Sequence, residues 1–299
     1  MEKNLAKNHK SFKNAPASED TSIYGTDRLL DKVLRQIPLI IFSLLIIGPL
    51  TLVFFASFKD LRQLYLDPLG LPEKWGFVNY VTLFANENML LYFKNSVFVT
   101  FTSVFFILFF GSMISYAIIR LPRWLGGLIF GFLVVGMMIP AQVNMIPIYV
   151  LFAKLNLLNK HLGLIIVTIS ALLPICVFIL TGFMRALPKG LIEAAMIDGA
   201  SHWQIYRRIV LPLSLPAMSS VAIFCFVISW NDLLYPLLFI KSTGLKTIPL
   251  ALLQFQGQYL TNYPMIFAGV VVASLPMIVI YVFLQRYFIA GMTAGSMKG

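Results

Sequence analysis

Six apolar runs dominate this 299-residue chain, at about residues 37–58, 96–119, 125–147, 162–184, 215–239 and 265–288. Crossing a hydrocarbon core of about 30 Å takes about 20 such residues in helical conformation. Lipid offers the backbone N–H and C=O groups no water, so each run must satisfy them internally, as an α-helix. An all-α integral membrane protein with six transmembrane helices is therefore expected. Only 12% of residues are charged, against about 25% in soluble domains, and the mean hydropathy is +0.85. The first run starts too late and extends too far for a cleaved signal peptide, so it counts as a span. Pro140-Ala-Gln-Val-Asn144 interrupts the third. Its helix is expected to end near Pro140, with the next stretch lying along the membrane face.

Residues 1–36 form a polar N-terminal tail, expected to lack fixed structure up to about Asp27. Residues 37–299 form the membrane domain, with a core at about 90–288, a polar loop at 185–214 and a C-terminal tail at 289–299. If the N-terminus lies inside, the inner segments carry 15 Lys and Arg residues and the outer ones 8. The positive-inside rule then places both termini and the 185–214 loop in the cytoplasm. The net charge of +11 thus reports topology, and no nucleic acid partner is expected.

Several energy sources are excluded by what the spans lack. Asp232 is the only acid within a span, and no Lys or Arg sits at mid-depth. An ion-coupled transporter needs buried carboxylates or a broken-helix ion site within an inverted repeat, and no repeat is found. The spans hold no histidine, so an intramembrane hydrolase lacks a nucleophile–base pair. A GxxxxGK[ST] phosphate cradle is absent as well. The scattered His9, His161 and His202 make no metal site, and Cys176 and Cys225 are expected to be small buried hydrophobes. What remains is a conduit powered by another protein.

The 185–214 loop is the one long polar stretch with helical patterning. Pro188 falls where a helix starts, and Leu191 to Met196 are good helix formers. Ile192, Ala195, Met196 and Gly199 recur at helical spacing as one apolar stripe. The small Ala194, Ala195, Gly199 and Ala200 leave room for another body to approach closely. Ser201-His-Trp-Gln204 has the form of a capping box opening a second helix, faced by Trp203, Tyr206 and Val210, which Leu211-Pro212 is expected to stop. Pro216 opens the fifth span. This pattern alone fits either a docking surface or an amphipathic helix on the inner membrane face.

The same segment closely resembles the signature of importer-type permeases of ATP-binding-cassette transporters: EAA, then Gly after three residues, then I-x-L-P. Glu193, Ala194, Ala195, Gly199, Ile209, Leu211 and Pro212 match, with Asp198 inside the motif. The resemblance implies a type-1 importer permease fold in which this loop is a coupling helix docked in a cleft of the ATPase subunit. From about residue 33 on, the chain resembles carbohydrate-importer permeases of the maltose-transporter type. The residues that carry this are Asn79-Tyr80, Asn95-Ser96, Met138-Ile139-Pro140, Ile146-Pro147, Leu157-Leu158-Asn159 and Trp230-Asn231. The ending, from Arg286-Tyr287-Phe288 through Gly299, is similar to the tail of the second permease in such pairs. The tail's implied role is contact with the ATPase dimer through Thr293, Gly295, Lys298 and Gly299; a frayed terminus is the alternative.

The resemblance further implies a homologous second permease, a dimer of ATPase subunits, an extracytoplasmic substrate-binding protein and surrounding lipid. ATP and Mg would be used by the partner ATPase, with no cofactor on this chain and no catalytic residue in it. The location implied is a bacterial-type inner membrane.

Sugar hydroxyls stripped of water need hydrogen-bonding partners. The candidates for a substrate path are Gln142 and Asn144, then Trp230, Asn231, Asp232 and Tyr235, then Gln254, Gln256 and Gln258. Asn231, Asp232 and Tyr235 lie at i, i+1 and i+4, so Asn231 and Tyr235 are expected to share a face. Hydrogen bonding between helices is the competing role for each. Two rival functions stand beside carbohydrate import. One is another cargo, such as a glycerol phosphodiester, a uronate-containing saccharide or a peptide; the outer surface carries +3, which suits an anion. The other is a membrane scaffold that conducts nothing.

Overall fold

The computed structural model describes residues 23–257 and 260–296. Most of the expected N-terminal tail, together with Gln258, Lys298 and Gly299, lies outside the described residues. The chain divides into a unit ending at Val53 and a unit from Phe54 onward. In the first, helix α1 (Ile23–Ala56) starts ahead of the expected residue 37, so Ile23 to Asp27 are helical rather than unstructured. Its Gln36–Ala56 portion is long and apolar enough to cross a membrane.

The second unit opens with two short helices, α2 (Leu61–Leu66) and α3 (Val78–Ala85). Then come α4 (Met89–Arg120), α5 (Arg123–Met137), α6 (Met145–Lys154) and α7 (His161–Arg185). The polar loop holds α8 (Lys189–Ile197) and α9 (His202–Ile205), which passes through a π-helical turn (Tyr206–Val210) into α10 (Leu211–Leu213). After it follow α11 (Leu215–Trp230), α12 (Leu234–Phe239), α13 (Ile248–Leu252) and α14 (Tyr263–Ser296). Among the described residues the only β pairing is a single bridge between Gln256 and Thr261.

Four helices, α1, α4, α7 and α14, carry a stretch long and apolar enough to span, and His202–Leu213 with Leu215–Trp230 gives a fifth that bends by 71°. The third expected span is short. Helix α5 stops at Met137 after 15 residues, about 22 Å of rise. Pro140 to Asn144 then form successive turns before α6, as the proline requires. The fifth expected span, 215–239, is also broken. Asn231 donates its amide to the Val227 carbonyl at 2.8 Å, and an Asp232 carboxylate oxygen accepts from the Leu234 N–H at 3.0 Å. Side chains that bond nearby backbone compete with the helix and end it at Trp230.

Helix α4 is the central post. It contributes Ile107 and Tyr116 to a core with α7, α11 and the polar loop. Met89 and Tyr92 join a second core with α11 and α14, and Val99 a third with α7 and α12. Its buried face runs Ser96, Thr100, Ser103, Ile107, Gly111 and Ser115, mostly small residues at near four-residue spacing. Lipid tails are as apolar as leucine, so membrane helices associate by close packing of small side chains and by hydrogen bonds. At Gly111 the fit leaves no room for a side chain: a Cβ there would collide with the Cys176 sulfur on α7. Cys176 and Cys225 are both buried free thiols, in keeping with the expected packing role.

At the end of the bundle opposite the polar loop, asparagines tie the connections down. The Asn95 amide donates to the carbonyls of Gly244 and Lys246, both at 2.9 Å, and Ser96 accepts the Ile248 N–H at 2.8 Å. The Asn159 side chain accepts from the backbone of Lys241 and Ser242. Asn79 donates to the carbonyls of Ser57 and Lys59, and the Tyr80 and Ser57 hydroxyls pair at 2.7 Å. The Asn79 and Asn95 clamps satisfy part-buried loop carbonyls and Ser96 a buried amide, groups that would cost about 1–3 kcal/mol if buried without a partner.

Gly111→Ala is expected to destabilise the protein by about 1–3 kcal/mol, as overpacking does. Adding Cys176→Ala removes the colliding sulfur and should restore most of the loss. Thermal denaturation of the two variants and the double variant in detergent checks this; equal, additive losses would contradict the contact.

Candidate functional site

The polar loop folds as a helical hairpin with one face in the core. Helix α8 ends in a Schellman arrangement. The Ala200 N–H bonds the Ala195 carbonyl at 3.0 Å and the Gly199 N–H bonds the Met196 carbonyl at 3.1 Å. Gly199 sits at φ +78°, in the left-handed region where a side chain costs about 1–2 kcal/mol. This explains the glycine locally, since nothing lies within 4 Å of the place a Cβ would occupy. Helix α9 opens on the expected capping box. The Ser201 N–H donates to the Gln204 side chain at 2.7 Å and the Gln204 N–H to the Ser201 hydroxyl at 3.3 Å.

Pro212 does not stop the second helix, contrary to expectation; the helix runs on to Leu213. A proline lacks the N–H and its ring meets the carbonyl four residues back, here that of Arg208. The π turn relieves this by shifting the register one residue, so the Leu211 N–H bonds the Tyr206 carbonyl, five back. The 71° bend follows at Ser214, and Pro216 opens α11 as expected.

Ile192, Ile205, Tyr206 and Val210 are all buried, packed among Tyr116, Leu180, Met184 and Val221 of α4, α7 and α11. The Tyr206 hydroxyl pairs with Ser112 at 2.8 Å, and its ring lies 5.4 Å from those of Tyr116 and Trp203. The expected apolar stripe is therefore split. Ile192 and Ala195 turn inward, whereas Met196 and Gly199 stay outside. The outward face carries Glu193, Ala194, Ile197, Asp198 and Gly199. Ile197, 87% exposed, is the most protruding apolar side chain of the hairpin and was not singled out by its sequence. Its only signal is an aliphatic residue out of phase with the buried stripe. Asp198, Gly199, Gln204, Arg208 and Ile209 line a recess of about 250 Å³ between the two helices. Ile209 and Leu211 are half-buried, and Pro212 is exposed.

The path candidates separate. Trp230 is buried between α11 and α14, stacked on Phe226, with its indole N–H donating to the Ala273 carbonyl at 3.0 Å. Tyr235 is buried in a different core, with Phe152 and Phe239. Because the helix breaks after Trp230, Asn231 and Tyr235 do not share a face: Asn231 is exposed. Asp232 and Asn144 are half-buried at a helix break and a helix start. Gln254 donates to Glu87 at 3.1 Å. Of the C-terminal residues, Thr293 and Gly295 lie within α14, which runs as helix to Ser296.

Residues 107–294 match the family described as binding-protein-dependent transport system inner membrane component. A putative ABC transporter permease protein of a Caldicellulosiruptor species is 37% identical over 87% of this chain and 95% of its own. The probable starch degradation products transport system permease protein AmyC of Thermoanaerobacterium thermosulfurigenes is 35% identical, over 87% of this chain and 94% of its own. Among solved structures, a chain of a bacterial ABC transporter that imports the acidic polysaccharide alginate superposes with a TM-score of 0.70 at 21% identity, covering 92% of this chain and all of that one. That likeness shows the fold.

Tyr206→Phe removes one hydrogen bond and should cost about 1 kcal/mol. Tyr206→Ala should cost about 3–5 kcal/mol by opening a cavity. Hydrogen exchange of the amides from Lys189 to Leu213 is the measurement. The alanine variant should speed exchange across both helices of the hairpin, and unchanged exchange would mean the tyrosine does not seat it.

Proposed function

This chain belongs to the family of binding-protein-dependent transport system inner membrane components, and from that membership we propose that it is a conducting subunit of an ATP-driven importer of oligosaccharides. One observation carries the reading: a hairpin whose inner face is built into the core and whose outer face is left bare. The buried residues Ile192, Ile205, Tyr206 and Val210 join the hairpin to α4, α7 and α11. Glu193, Ala194, Ile197 and Gly199 present a small-residue, partly apolar surface beside the recess at Arg208. A partner seated there moves the membrane helices when it moves, because the joining contacts are close-packed and transmit displacement.

In this reading ATP and Mg belong to a dimer of ATPase subunits, and this chain performs no bond chemistry. Closure of the ATPase pair pushes on Glu193 to Gly199, and the load passes through Tyr206 and Val210 to α4 and to the bent α10–α11 joint. Ile209, Leu211 and Pro212 set the angle of that joint. The C-terminal residues Thr293, Gly295, Lys298 and Gly299 supply a second contact with the ATPase pair. A homologous permease completes the path, and an extracytoplasmic binding protein delivers the cargo. The hairpin faces the cytoplasm of a bacterial-type inner membrane, in keeping with the distribution of Lys and Arg. The carbohydrate cargo is supported by the starch-product permease among the relatives. Asn144, Asn231 and Asp232, at breaks in the helices, are the polar groups on this chain that meet sugar hydroxyls.

Gly199→Asp tests the docking face rather than the fold, since aspartate tolerates the left-handed backbone better than most residues. It should leave the protein in the membrane while removing about 2 kcal/mol or more of ATPase binding, an interface hot-spot loss. Affinity purification in mild detergent, with co-purifying chains identified by mass spectrometry, reads the binding; uptake of labelled maltooligosaccharide reads the transport. Wild-type uptake at normal expression would refute the coupling role.

A further inference from the structure

At the end of the bundle that carries the hairpin, a cavity of about 620 Å³ opens where α4, α5, α7 and α8 meet. This lies within the range of small-molecule sites, about 300–1,000 Å³. Arg120, Arg123, Arg185 and Lys189 line it, each from a different helix end, with Glu193 the one acid among its lining residues. The site thus carries a net charge of +3. Its remaining wall is apolar, with Ile118, Met184 and Ile192 buried behind the cations.

Two of the cations are held in place by neighbours that do not neutralise them. Arg120 donates one N–H to the Met196 sulfur at 3.2 Å, and the Arg185 guanidinium lies 5.1 Å over the Phe130 ring. A guanidinium has five N–H donors, so both keep most of theirs for an anion. An arginine fork suits phosphate oxygens in particular.

The surroundings specify what kind of phosphate. Trp124, next to Arg123, is 72% exposed, which is how an interfacial tryptophan stands in a membrane protein. Gly127 lines the cavity, and Gly131 follows one turn along α5; neither has an atom within 4 Å of its would-be Cβ. The surface of α5 beside the charged cavity is therefore open at these two glycines and apolar, with the stacked Phe130 and Phe178 rings next to them. A charged pocket beside an open apolar helix face suits a headgroup with a chain attached.

We propose that this cavity binds an anionic phospholipid, its phosphate on Arg120, Arg123 and Arg185 and an acyl chain along the open α5 face at Gly127 and Gly131. Basic pockets between transmembrane helices on the cytoplasmic side recognise such headgroups by the same physics. Naming the inner leaflet rests on the orientation given above. Since Glu193 and Lys189 belong to the docking helix, the lipid would brace that helix against the bundle and tie coupling to membrane charge.

The test uses the assembled transporter in phosphatidylcholine vesicles containing a photoactivatable phosphatidylglycerol, with cross-linked peptides mapped by mass spectrometry. Labelling is expected to concentrate on residues 118–127 and 184–193, and photoactivatable phosphatidylcholine should not reproduce it. Arg120→Gln and Arg185→Gln should each lower it about fivefold, the effect of one cation at an anionic lipid surface. The two-lipid comparison needs no variant and so survives a misfolded one. Equal labelling by both lipids would overturn the proposal. Displacement by inorganic phosphate alone would make it a soluble-anion site, and labelling only after the ATPase is stripped away would make it a protein interface; either result also overturns it. None of these readouts depends on uptake, so failure here is distinct from failure of the transport reading.

Discussion

The hairpin is joined to the membrane helices by the side chains it buries, with a tyrosine at their centre. Tyr206 reaches from the hairpin to α4, where its ring lies tilted against Tyr116 and its hydroxyl pairs with Ser112. An isolated nine-residue helix such as α8 is too short to hold its shape in water. It is stable because Ile192 packs against Met184 and Leu180, and because Gly199 and Ser201 close its end and open the next. The outward surface of the hairpin is therefore held in shape by its own packing, which would lessen the ordering entropy lost by any binding there.

Two helix breaks interrupt the bundle, and their chemistry differs. At Asn231 and Asp232 the side chains capture neighbouring backbone groups and end the helix outright. At Tyr206 to Val210 the chain stays helical but changes register to admit Pro212, then bends by 71°. A register change keeps the backbone hydrogen-bonded, which a segment entering lipid requires. The bend thus sits where the hairpin meets α11, in line with the load the hairpin would carry.

The polar residues shared with carbohydrate permeases take on physical meaning here. Asn79, Asn95 and Asn159 each bridge two backbone groups of a distant connection. Their pattern reports how the loops are tied at one end of the bundle. It follows that a motif can identify a subgroup without marking its cargo site.

The sequence by itself determined the helical membrane class, the hairpin with its capping box and the end of α5 near Pro140. These are local matters: hydrogen bonding in lipid, caps and proline sterics act within a few residues. Which face of each helix turns inward was decided by tertiary packing. The spans are apolar all round, so no moment distinguishes core from lipid, and the small residues of α4 from Ser96 to Ser115 reveal their role only against Cys176 and α7. For the same reason Trp230 and Tyr235, five residues apart, entered separate cores, and Ile197 rather than Ile192 faced outward. The basic cavity draws its four cations from two short connections far apart in the chain, Arg120 and Arg123 between α4 and α5 and Arg185 and Lys189 between α7 and α8, a juxtaposition that exists only once these helices have met.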